Sequence, residues 1–129
     1  MPTYTHPYDS EAYIPAMPVA EVRITGVEAG DPSAAVLALV DSGADATMIP
    51  VDVLNRVGAL YHQPRTMRGV TGHRITVDVY LVHVEIGSYR IAGVEAIGML
   101  NSSETIIGRD VLNELEITLH GPANELWIV

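Results

Sequence analysis

The chain has 129 residues, enough for one domain and too few for two independent cores, and 48% of them are hydrophobic, which excludes a disordered chain. A net charge of −9, with no Lys and seven scattered Arg, excludes a nucleic-acid surface that tracks phosphates and disfavours anionic membranes. The absence of Cys excludes a disulfide framework, a thiol nucleophile and a Cys-ligated zinc site.

Residues 1–18 carry four prolines (Pro2, Pro7, Pro15, Pro18) and three tyrosines, and read as an extended N-terminal arm, loose or laid over the domain surface. The arm lacks the apolar stretch of a secretory signal. No later run reaches transmembrane length, so a soluble cytoplasmic protein is expected.

Residues 19–129 form the domain, in which short apolar segments broken by turn signals predict an all-β fold. Val19–Val27 alternates as a first strand and ends at the turn-forming Glu28-Ala29-Gly30-Asp31-Pro32. The continuous apolar run Ala34–Val40 predicts a strand buried on both faces. Pro50–Val57 predicts a short helix, with Pro at its first turn and Gly58 past its end. Ile75–Ile86 is a long strand that turns at Gly87-Ser88 into Tyr89–Ile97. Arg109–Leu115 predicts a second short helix, and Ile117–Leu119 and Leu126–Val129 pair around Gly121–Asn124. With no Phe and one Trp, Val, Ile, Leu and Ala must fill the core.

The chemistry concentrates at Val36-Leu37-Ala38-Leu39-Val40-Asp41-Ser42-Gly43-Ala44. An acid directly after an apolar run is costly to bury without a partner or a task. Ser42 sets a hydroxyl beside it, and Gly43 lets the backbone approach and turn. On these residues alone, an Asp capping a turn after a strand is the better reading.

Asp41-Ser42-Gly43-Ala44 resembles the Asp-Thr/Ser-Gly-Ala signature of aspartic peptidases, and Thr105-Ile106-Ile107-Gly108-Arg109-Asp110-Val111-Leu112 resembles their second fixed element. Between them, Met67–Ile75 resembles the flap that closes over bound peptide, with Gly69, Val70, Thr71 and Gly72 at its tip. The resemblance is to the single-lobed, retropepsin-like family, nearer its small bacterial members than its viral ones. It spans Val19–Val129 and leaves the arm without a counterpart.

This resemblance implies an all-β single-lobed acid-protease barrel with one or two short helices, acting as a homodimer on a peptide or protein substrate, without metal or cofactor. Asp41 would be catalytic, supported by Ser42, Gly43, Ala44 and a partly buried Asp45–Arg109 ion pair. Leu39, Val70 and Ile106 would line the cleft, with Ser102, Ser103 and Glu104 on the neighbouring wall. Viral members carry apolar residues where Glu104 stands, so Glu104 either favours a basic substrate side chain or faces solvent from its loop. Only one Asp-Ser-Gly occurs, and the chemistry needs two carboxylates sharing a proton, so a second copy must supply the other. Asp31 lies in a turn, Asp78 in the strand after the flap, and Asp110 reads as a helix N-terminal acid.

Two rival readings are a non-catalytic dimeric module that binds peptide or protein, and a domain completed by a different chain. His83 and Glu85 share a strand face, which is too little for a metal site. Five scattered His without a nucleophile elbow disfavour a Ser-His-Asp hydrolase, and Trp127 reads as a core or interface anchor.

Overall fold

The computed structural model describes all 129 residues; besides one 3-10 turn at Gly121–Ala123, its elements are ten strands and two short α-helices. In chain order these are β1 Tyr4–Pro7, β2 Val19–Gly26, β3 Ser33–Val40, β4 Met48–Pro50, α1 Val51–Arg56, β5 Leu60–Arg68, β6 Arg74–Ile86, β7 Tyr89–Met99, β8 Thr105–Ile107, α2 Arg109–Leu112, β9 Ile117–His120 and β10 Glu125–Ile128. The fold is all-β, as the sequence predicts.

One sheet runs β2-β3-β8-β4-β7-β6-β5, and a further pairing of β2 with β6 closes its first six strands into a barrel. The long β6 makes closure possible by serving two partners along one edge. Arg74–Leu81 pairs with β5, and Val82–Glu85 pairs with β2. Alternating residues fill the barrel, among them Val22, Ile24, Ala38, Val40, Val82, Val84, Ala96 and Ile107, all buried. Burying each larger aliphatic side chain contributes about 1.5–3 kcal/mol. Leu54 of α1 and Val111 of α2 plug the same core.

The second sheet, β1-β10-β9, packs Leu126 and Ile128 onto that core. Its β9–β10 hairpin follows the predicted pairing, with Leu126 opposite Leu119. The arm is more ordered than its composition suggests. Tyr4–Pro7 lies antiparallel along β10, because the outer edge of β10 offers backbone partners to an otherwise unpaired segment.

Two expectations need correction. Ala34–Val40 lies in a strand, yet β3 is not buried on both faces: Ala35 and Leu37 are exposed, Leu37 by 49%, and Leu39 is only half-buried. A continuous apolar run therefore marks here a strand with one face on the core and one open to solvent. The second correction is an addition, β5, for which the sequence predicts no element. Its Pro64 and its mostly exposed residues suit an edge strand outside the closed barrel, where a missing N–H disrupts nothing on the solvent side.

Candidate active site

The Asp41 loop begins where β3 leaves the sheet. Antiparallel pairing of β2 with β3 and parallel pairing of β3 with β8 put Val19, Leu39 and Ile106 in one cross-strand row. Met48 continues that row opposite Ile106. The row is closed at Val19, which is 1% exposed, and open at half-buried Leu39, Ile106 and Met48.

Asp41 follows directly and is exposed. Its N–H donates to the Ile107 carbonyl at 3.0 Å, which ties the loop to β8. Its carboxylate accepts from the Gly43 N–H at 2.8 Å, and its carbonyl accepts from the Ala44 N–H at 3.1 Å. One carboxylate oxygen is thus held by the turn while the group as a whole faces solvent. A Cβ on Gly43 would lie 3.1 Å from that oxygen, so the small residue suits the turn.

The predicted second element lies where the resemblance implies, alongside this loop. Gly108 is packed so closely that a Cβ would sit 2.7 Å from the Ala46 carbonyl and 2.9 Å from the Ala44 oxygen. No other residue fits that crossing without moving the backbone. The Arg109 N–H donates to the Ala44 carbonyl at 2.9 Å, and its guanidinium donates to the Ser42 carbonyl at 2.7 Å and to the Asp45 carboxylate. The Asp45–Arg109 pair is therefore present but more exposed than expected. The Asp45 side chain is 85% and the Arg109 side chain 43% accessible, because the loop bulges to the surface.

Sequence reasoning missed a second clamp. Asp110 does stand as an acid in the first turn of α2, accepting from the adjacent Val111 N–H at 2.9 Å. It also accepts from the Thr47 N–H at 3.0 Å and the Thr47 hydroxyl at 2.8 Å. That hydroxyl in turn accepts from the Gly108 N–H at 3.3 Å. The signal was available: Thr47 is the polar residue in Ala46–Pro50, and a polar side chain in an apolar run needs a partner when buried.

The segment 67–75 is the β5–β6 hairpin. Its tip is closed by Gly69 N–H to His73 carbonyl at 2.8 Å and Gly72 N–H to Gly69 carbonyl at 3.0 Å. Val70 and Thr71 stand at the tip, exposed, with Val70 fully so. Beneath the hairpin lies a groove of about 470 Å³, whose walls include Met48, Met67, Ile75, Tyr80, Ile97 and Leu100. Of these, Met48 extends the Leu39–Ile106 row, so the row and the groove are continuous. Met67 and Ile75 enter the sequence reading as the bounds of the hairpin segment; nothing local points to Met48 or Leu100.

Ser102, Ser103 and Glu104 form the connection from β7 into β8, with the Glu104 N–H donating to the Ser102 hydroxyl at 3.3 Å. Glu104 does not stand free. The Tyr13 hydroxyl, from the arm, donates to its carboxylate, and that bond to an anionic acceptor raises the Tyr13 pKa above the ordinary 10.0. His83 and Glu85 are half-buried strand residues, and the His83 ring accepts from the Gly93 N–H at 3.1 Å beside a bulge in β7. No helix is long and apolar enough to cross a membrane.

The family model described as "gag-polyprotein putative aspartyl protease" matches residues 32–114, well over half of the chain. No curated protein matches it. Among solved structures, it resembles the EIAV protease complexed with the inhibitor HBY-793 at 22% identity and a TM-score of 0.58, over 76% of this chain and 86% of that one. A retropepsin-like aspartic protease from Rickettsia conorii matches at 10% identity and a TM-score of 0.63, over 97% and 91% of the two chains. The retroviral protease-like domain of Ddi1 from Leishmania major matches at 22% identity and a TM-score of 0.52, over 86% and 88%. At these identities the structural likenesses speak for the fold, and the family match spans both the Asp-Ser-Gly loop and the Gly108 crossing. The chain belongs to the gag-polyprotein aspartyl protease family and has the single-lobed, retropepsin-like fold.

Proposed function

We propose that the protein is an aspartic endopeptidase that works as a homodimer, each copy supplying one Asp41. The observation that carries this reading is the Asp41 carboxylate itself, anchored by the Gly43 N–H yet turned to solvent at the mouth of an apolar row. A single such carboxylate cannot both activate water and polarise a carbonyl.

Paired across a two-fold axis about 3 Å apart, two Asp41 side chains would share one proton. The ionised one takes a proton from water, whose oxygen bonds to the scissile carbonyl carbon. The protonated one hydrogen-bonds the carbonyl oxygen. The tetrahedral intermediate then collapses as the C–N bond breaks, and a proton passes to the departing nitrogen. In this reading the row of Leu39, Ile106 and Met48 receives side chains of an extended peptide, and the 67–75 hairpin closes over it. The Ser102–Glu104 connection forms the adjoining wall. A Glu104 carboxylate there favours a Lys or Arg side chain, and the net charge of −9 steers basic peptides the same way.

The experiment is digestion of a diverse peptide library by wild type and Asp41→Asn, with a dilution series of the wild type. Asp41→Asn abolishes cleavage while leaving the melting temperature near that of wild type, and wild-type specific activity falls on dilution. Cleavage that persists in Asp41→Asn sinks the catalytic assignment. Peptide binding without Asp41-dependent cleavage favours the binding-module reading instead.

A further inference from the structure

The arm is built as a strap. Tyr8 N–H donates to the Asn124 carbonyl at 2.8 Å, and Asp9 and Met17 exchange backbone bonds of 2.9 and 3.0 Å, closing a loop over residues 10–16. The Asp9 side chain shapes that loop by accepting from the Glu11 and Ala12 N–H groups, both at 3.0 Å. At its exit the Pro18 carbonyl accepts from the Val40 N–H at 3.0 Å, one residue before Asp41. The loop is therefore pinned at both ends beside the candidate active site, and from it Tyr13 reaches Glu104, a residue 91 positions away in sequence.

We propose that Tyr13 is a specificity-determining residue, whose hydroxyl competes with basic substrate side chains for the Glu104 carboxylate. The inference rests on the reading of Ser102–Glu104 as a wall of the cleft. A phenol bound to one carboxylate oxygen satisfies part of the acceptor's capacity, so an incoming ammonium or guanidinium must share or displace it. The arm thus tempers a charge preference that Glu104 alone would impose. Both groups are accessible, so the effect is modest, and because the phenol titrates above 10.0 it holds its proton throughout the neutral range.

The test measures binding in the Asp41→Asn background, where nothing need be cut. A peptide series carries Lys or norleucine at each position in turn. The readout is the affinity ratio, Lys over norleucine, at the most discriminating position. Tyr13→Phe raises that ratio by about two- to fivefold over the Tyr13 parent. Glu104→Gln brings it close to one, and adding Tyr13→Phe to Glu104→Gln changes nothing further. An unchanged or lowered ratio in Tyr13→Phe overturns the proposal, as does an equal change for both peptides, the mark of a merely structural arm. A series with no discrimination in any of the four proteins overturns it too. If the ratio behaves as stated while Asp41-dependent cleavage is absent, the peptidase reading falls and this one stands.

Discussion

Two loops flank the apolar row, and they are built in opposite ways. The Asp41–Thr47 loop is tied on every side: to β8 through Ile107, to itself through Gly43 and Ala44, and to the start of α2 through Arg109 and Asp110. The β5–β6 tip is closed by two backbone bonds and presents Val70 to solvent. At its base Arg68 stands directly opposite Arg74, a like-charge cross-strand pair that loosens the end of the hairpin. The contrast teaches that the fold concentrates its polar contacts on the loop that holds the Asp41 carboxylate, and leaves the hairpin tip with two backbone bonds. That division suits the proposed peptidase, in which a proton-transfer group would need fixed geometry and a segment that covers a ligand would need low local stability.

The strongest way to break the contrast is Gly108→Ala. The added methyl meets backbone rather than a flexible side chain, so the loop and α2 must separate. The expected cost is about 3 kcal/mol, seen as a drop of about 10 °C in thermal melting. A melting temperature within a degree or two of wild type would show that the crossing is looser than its packing implies.

Next comes the Thr47–Asp110 clamp. Asp110→Ala leaves the buried Thr47 hydroxyl and N–H without their acceptor, at about 2 kcal/mol by denaturant unfolding. Thr47→Val on top of it adds only the loss of the long Gly108 N–H bond, because the contact with Asp110 is already gone. Full additivity of the two losses counts against a shared clamp.

The Arg109–Asp45 pair ranks lower. A fully buried pair would lose about 3–5 kcal/mol on removal of one partner, but the exposure of this one reduces the charge term to about 1 kcal/mol or less. Arg109→Ala costs more than Asp45→Ala, since only Arg109 also holds the Ser42 carbonyl. Equal losses in the two unfolding curves would show that the Ser42 bond contributes nothing.

The smallest effect sharpens the contrast from the other side. Arg74→Glu turns the like-charge pair at the hairpin base into an opposite-charge one and steadies the tip by about 0.5 kcal/mol. Amide exchange at Gly69 and Gly72 slows while exchange in the Asp41 loop is unchanged. Faster or unaltered exchange at the tip removes the electrostatic explanation of its looseness.

What could be read from the sequence was local. The Asp41-Ser42-Gly43 turn, the Ile106-Ile107-Gly108 entry into α2, the β9–β10 hairpin and both short helices each announce themselves within a few residues, through apolar runs, glycines and turn formers. Tertiary structure alone decided the rest, because the deciding partner lies far along the chain. The exposed face of β3 depends on what its neighbours leave uncovered, which an apolar run does not encode. β5 and β1 are polar or proline-bearing segments that become strands only because β6 and β10 present them an edge. Asp110 looked like a helix-start acid until Thr47 arrived 63 residues from it, and Glu104 looked free until Tyr13 arrived from the arm. A hydrogen bond between distant side chains has no periodicity and leaves no pattern in the sequence; only the closed barrel brings its two ends together.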